Sequence, residues 1–121
     1  MENREEQVEA LQALRDYNAR LVPAMKAVAS ELRSVRKEDT QEYLMAVIKG
    51  MNWEIQIVNG TMELINEKEQ QIDKEEVNGI FMEFSDAYQK QDDILMTVCL
   101  EEKIIPFFKK LQGITESIVA S

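Results

Sequence analysis

Asp92 and Asp93, followed on the same predicted helix by Glu101 and Glu102, are the residues whose type and spacing come nearest to chemistry. Such carboxylates would suit a metal ion. The di-metal sites of helical bundles, however, pair glutamates with histidine at Glu-x-x-His spacing, and this sequence has no histidine. Adjacent acids on a helix then read as a solvated face. Glu102 is the exception: it falls at a seam position, where Lys26 or an arginine would pair with it. Cys99 has no histidine to activate it as a nucleophile and reads as a buried thiol acting as a small apolar group. There is no glycine-rich phosphate loop and no Ser/His/Asp set. The sequence therefore predicts no catalytic residue, no metal ligand and no cofactor, and a protein that is not an enzyme.

The elements that would carry these residues follow from apolar period. Leu11, Leu14, Leu21, Met25, Val28, Leu32 and Val35 alternate steps of three and four, with Asn18 at the one polar seam position. They predict a helix over residues 4–36 that continues in phase through Pro23 as a kinked helix. Asp39 with Glu42 forms a capping-box pattern. It opens a second helix with the seam Leu44, Ile48, Met51, Ile55, Val58, Met62 and Ile65, running to about residue 68. Asp73 with Glu76 repeats the pattern and opens a third helix, with the seam Val77, Phe81, Phe84, Tyr88, Gln91, Leu95 and Val98. After Pro106 a further stripe, Phe107, Phe108, Leu111, Ile114 and Ile118, runs in a shifted phase. It either continues the third helix or folds back as a short fourth. Short turns make consecutive helices antiparallel neighbours. The expected fold is all-α: an antiparallel up-down-up bundle of three long helices with a C-terminal helical segment, one domain over residues 1–121.

The second helix carries a second apolar series opposite its seam: Ala46, Gly50, Trp53, Ile57, Gly60 and Leu64. A surface helix should be polar there, and each interior glycine costs about 1 kcal/mol relative to alanine. Close approach of another backbone is the usual reason for that cost. Three covers are available: the chain's own tail from Ile104 to Val119, a second copy of the chain, or a partner's helix with Trp53 as its aromatic anchor. These six residues form the candidate partner-binding face. Asn18, Trp53 and Gln91 fall in one middle layer of such a bundle and offer a small candidate pocket, or else pair with one another to fix register. Six of the seven methionines, from Met25 to Met96, either suit an adaptable binding surface or fill gaps in a kinked core.

Composition bounds the partners. Of 121 residues, 23 are acidic and 14 basic, for a net charge of −9, and no basic cluster stands out. That balance repels phosphate backbones and anionic lipid, so neither nucleic acid nor membrane is expected. No apolar run approaches the roughly 20 residues that span a bilayer, and the polar start has no signal-peptide core. With a single cysteine, these features predict a cytoplasmic protein.

Ile48-Lys49-Gly50-Met51-Asn52-Trp53, Asp92-Asp93-Ile94-Leu95 and Glu101-Glu102-Lys103-Ile104-Ile105-Pro106-Phe107 resemble an uncharacterised family over about residues 40–112. Its members are small acidic all-helical proteins of low-GC Gram-positive bacteria, some labelled chaperone-like. The resemblance implies no catalytic residues, and it implies that Gly50, Trp53, Glu102 and Pro106 form one recurrent structural unit. Together these features predict a protein-interaction module, a small adaptor or export-chaperone-like bundle binding a partner helix or itself. A small-ligand-binding or sensing bundle and a purely structural homodimer are the alternatives.

Overall fold

A computed structural model describes residues 3–120, and among them every regular element is helical, so the fold is all-α. α1 spans Arg4–Arg33, α2 Thr40–Gly60, α3 Met62–Ile65, α4 Lys74–Gln89 and α5 Asp93–Cys99. A π-helical turn over Leu100–Ile104 joins α5 to α6, Ile105–Ala120. The Arg4–Glu67 ion pair places the start of α1 beside the end of the α2–α3 segment. Arg36, just past α1, pairs with Asp93 at the start of α5, and the Tyr88 hydroxyl near the end of α4 meets the Met45 sulfur near the start of α2. The chain therefore runs up and down twice. α1 packs against α2 on one side and against α5, the π turn and α6 on the other, while α4 packs against α5 and the π turn.

α1 is uninterrupted through Pro23, as its seam predicts. It starts on Asn3, whose side chain accepts from the Glu6 N–H, and buries Leu11, Leu14, Asn18, Leu21, Met25, Val28 and Leu32. It ends at Arg33, short of the predicted residue 36, so Val35 lies outside the seam and is exposed. α2 starts where predicted, but the Asp39 side chain makes no cap. Thr40 instead ties down the preceding turn: its hydroxyl accepts from the Lys37 N–H and donates to Glu31 on α1. The predicted run to residue 68 is broken at Thr61, whose hydroxyl donates back to the Ile57 carbonyl. Asn66 then holds the following turn, accepting from the N–H groups of Gln71 and Ile72.

The third predicted helix divides in two. Lys90–Asp92 form a corner in which Gln91 takes φ = 53°. The Asp92 N–H reaches the Ala87 carbonyl and the Gln91 N–H reaches Tyr88, the paired bonds of a Schellman stop. Asp92 then caps α5 by accepting from the Leu95 N–H. The seam expectation failed here because Asp92 offers a helix-starting cap that outweighs one more polar seam position. Leu95 and Val98 are consequently exposed, and Met96, Cys99 and Leu100 face inward.

The segment after Pro106 does not fold back but continues the helix begun at α5. Because the predicted third helix breaks before α5, this run is a fourth leg of the bundle rather than an extension of the third helix. Met96, Leu100, Ile104 and Phe108 are buried at successive steps of four. An α-helix at 3.6 residues per turn drifts off such a stripe, and a wider i→i−5 turn restores it. The Ile105 N–H accordingly bonds to the Leu100 carbonyl. This extra residue produces the shifted phase seen in sequence. It also turns Glu102 outward, contrary to its predicted seam position.

Candidate functional site

α2 is buried along Leu44, Val47, Met51, Glu54, Val58, Thr61 and Ile65, a three-four stripe offset from the predicted seam. The offset draws half of the candidate partner-binding face inward: Gly50, Ile57 and Leu64 are buried. Ala46, Trp53 and Gly60 stay exposed. Gly50 provides close approach, as its cost implies, and what approaches is α1. A Cβ on Gly50 would overlap the Tyr17 hydroxyl and lie 3.1 Å from Leu21 Cδ1.

Trp53 is 42% exposed. Tyr17 covers one edge of it, the two rings meeting edge to face with centroids 5.3 Å apart. The Arg20 guanidinium lies 5.5 Å from the centre of the Tyr17 ring. The C-terminal helix packs on α1 and leaves the outer side of Trp53 open, so the tail does not cover it. Tyr17 and Arg20 are the site residues that sequence reasoning missed. Their signal was available in position, since both lie beside the Asn18 and Leu21 seam positions on the α1 flank that a neighbouring helix meets.

The candidate middle-layer pocket does not form. Asn18 is buried and donates to the Phe108 carbonyl at 3.0 Å and to Gln112 at 2.8 Å, fixing register with α6. Gln91 is exposed at the α4–α5 corner, beside Arg36, Gln41 and Tyr88. Asn18 lies 18 residues before Arg36 on or near α1, so the two sites are separated by roughly 25 Å at 1.5 Å per residue. Trp53 faces outward on the other side of α1. The implied unit of Gly50, Trp53, Glu102 and Pro106 is likewise divided. The first two lie at the α1–α2 contact, and the last two border a cleft between α4 and α6.

The acids and the thiol take structural roles. Asp93 forms a two-pronged bond to Arg36, 2.7 Å from Nε and 2.6 Å from Nη2, and this holds its carboxyl below the usual range. Glu101 pairs with Arg33, and among the described residues no group of acids, cysteines and histidines could hold a metal. Burial pushes the Cys99 thiol up. Glu54 passed unnoticed in sequence. It is wholly buried on α2 between Met51 and Val58, and neither carboxylate oxygen has a partner. Burial pushes its pKa up to about 8, so it is neutral at physiological pH. Asn18 Oδ1 is the other buried side-chain acceptor left unpartnered among the described residues.

Among the described residues no helix is long and apolar enough to cross a membrane. Comparison with curated proteins gives no match, and comparison with solved structures gives none either. The model of one family, Domain of unknown function (DUF8042), matches residues 9–114, most of the chain, and the protein belongs to that family.

Proposed function

We propose that this protein is a cytoplasmic protein-interaction module, a small adaptor or export-chaperone-like bundle, which docks a helix of a partner or of a second copy on the outer face of α2. The observation that carries the reading is the chemistry of that face. α2 has ten exposed residues, and they include one acid, Glu42, and one base, Lys49, in a chain that is 31% charged. The rest are amides, small residues, Met45 and Trp53. Depletion of charge around an aromatic anchor distinguishes interface cores from ordinary surface. Tryptophan, tyrosine and arginine are the residues in which binding energy concentrates, and Trp53, Tyr17 and Arg20 stand together here. A near-neutral face also adds no local charge repulsion against a second copy.

A photo-crosslinking amino acid at Asn52 or Gln56, which flank Trp53, tests the reading in the producing cells. The expected result is a discrete adduct, either a covalent dimer or a crosslinked partner, that disappears on Trp53→Lys. The same probe at Asp86, on the outside of α4, should give none. If Asn52, Gln56 and Asp86 behave alike, α2 is an ordinary surface and the reading fails.

A further inference from the structure

A cleft between α4 and α6 lies on the other side of the molecule and was not read from sequence. It measures about 540 Å³ and runs between α4 and the π turn with the start of α6. α4 follows α5 closely, then meets α6 through aromatic rings. Phe81 stands edge-on to Phe107 and Phe108, with centroids 6.3 and 6.1 Å away. Rings hold helices farther apart than small residues do, and the groove is the space left over. Its apolar lining comes from Ile72, Val77, Ile80, Pro106 and Phe107, and Gly79 opens its wall, with nothing within 4 Å of where a Cβ would stand. Asp73, Glu76, Glu83 and Glu102 supply four acids at its border, against Lys103 and Lys110. Glu83 and Lys103 pair with each other at 2.6 Å, which leaves Asp73, Glu76 and Glu102 against Lys110.

We infer that this groove is a second docking site, which takes a short basic amphipathic helix from a protein partner. Charge selects the occupant. A second copy of the chain brings a net charge of −9 to an acidic border and is repelled. Phosphate backbones and anionic lipid are repelled for the same reason. An apolar trough with acids at its border is complemented by leucine-like side chains flanked by lysine or arginine. The α4 stretch from Asp73 to Glu83 is about 15 Å long, enough for three turns of a docked helix. The volume suits the side chains of one face and not a whole helix, so the segment lies along the mouth with its apolar residues inserted.

The probe is a fluorescein-labelled peptide with leucines at helical i, i+3, i+4 and i+7 spacing and lysines on both flanks, titrated with the full chain by anisotropy. Saturable binding is expected, weakening with salt. Glu76→Lys combined with Glu102→Lys should lower affinity by about tenfold or more. Gly79→Phe should lower it similarly by filling the mouth, and its melting temperature should stay level or rise because glycine is lost from a helix interior. Trp53→Lys should leave peptide binding unchanged. The inference is overturned by absence of saturable binding up to millimolar protein, by equal binding of the peptide with glutamates for lysines, or by Gly79→Phe binding as well as wild type. Loss of binding on Trp53→Lys would also overturn it, by placing the peptide on α2 and supporting the other surface instead.

Discussion

α2 and α4 each expose ten residues, yet they present opposite chemistry and pack in opposite ways. α2 shows one acid and one base, and approaches α1 so closely at Gly50 that a methyl group would displace the Tyr17 side chain. α4 shows four acids and one base, and stands off from α6 by the width of phenylalanine rings, with a groove beside them. Residue size at one layer of each seam decides the difference. A glycine lets two helices close and leaves a shallower concavity of about 180 Å³, whereas an aromatic triad props them apart and leaves one of about 540 Å³. One bundle thereby offers a near-neutral face and an acidic trough, which suit different occupants.

Removing the aromatic prop should break the contrast most severely. Phe108 is fully buried and touches both other rings, so Phe108→Ala should cost roughly 3–5 kcal/mol. A denaturant melt reads the loss directly, and a cost below about 1 kcal/mol would mean that the triad does not hold the α4 side open. On the α2 side the buried Glu54 carboxyl makes stability depend on pH. Its pKa is raised from 4.5 to about 8 in the folded protein, so folding takes up a proton. The stability tied to that proton is fully present below pH 4.5 and is lost progressively as pH rises from there through 8, by on the order of 5 kcal/mol. Glu54→Gln should remove this slope. The variant's advantage over wild type should grow from pH 5 to pH 8.5, and parallel pH–stability curves for the two proteins would refute the assignment.

The two sides were unequally legible in the sequence. The all-α class, the continuity of α1 through Pro23, the Asp73 cap and the inward place of Asn18 all followed from spacing, because period and capping are local. The second face of α2 is legible but rotated, since Leu44, Val47, Met51, Glu54, Val58, Thr61 and Ile65 repeat at three-four spacing as regularly as the predicted seam does. Only full burial next to Gly50 shows that Glu54 belongs to the core. The groove was not found. It depends on ring size, on a π turn whose signature is the run of four-residue steps from Met96 to Phe108, and on a helix break that apolar period passed over. Asp92-Asp93 held the clue to that break: Asp92 is a cap and Asp93 a partner for Arg36, where a solvated face had been expected.

The corner that separates α4 from α5 sets how the groove side is hung, and Gln91 is its strained point. A non-glycine residue at φ = 53° gives up about 1 kcal/mol relative to glycine, which occupies that region freely. Gln91→Gly should therefore stabilise the protein by roughly 0.5–1 kcal/mol. It should also leave the Asp92 cap in place, with amide exchange at Asp92 and Leu95 unchanged. Destabilisation instead would mean that the glutamine side chain, beside Arg36 and Tyr88, contributes more than its backbone costs.

The smallest expected effect tests whether the same corner is also held electrostatically. Arg36 and Asp93 tie the end of α1 to the start of α5 through two short bonds, but each side chain is about a third exposed, so the pair should contribute about 0.5–1 kcal/mol. Arg36 holds the Asp93 carboxyl below its ordinary 3.8, so the contribution is present above that value and lost as pH falls through the lowered one. Asp93→Asn should remove it at neutral pH while leaving the acid side of the stability curve nearly unchanged. High salt should shrink the difference between wild type and variant, because exposed pairs are screened. A difference that high salt leaves unchanged would mean that the contribution is not electrostatic and would refute the tie to α1.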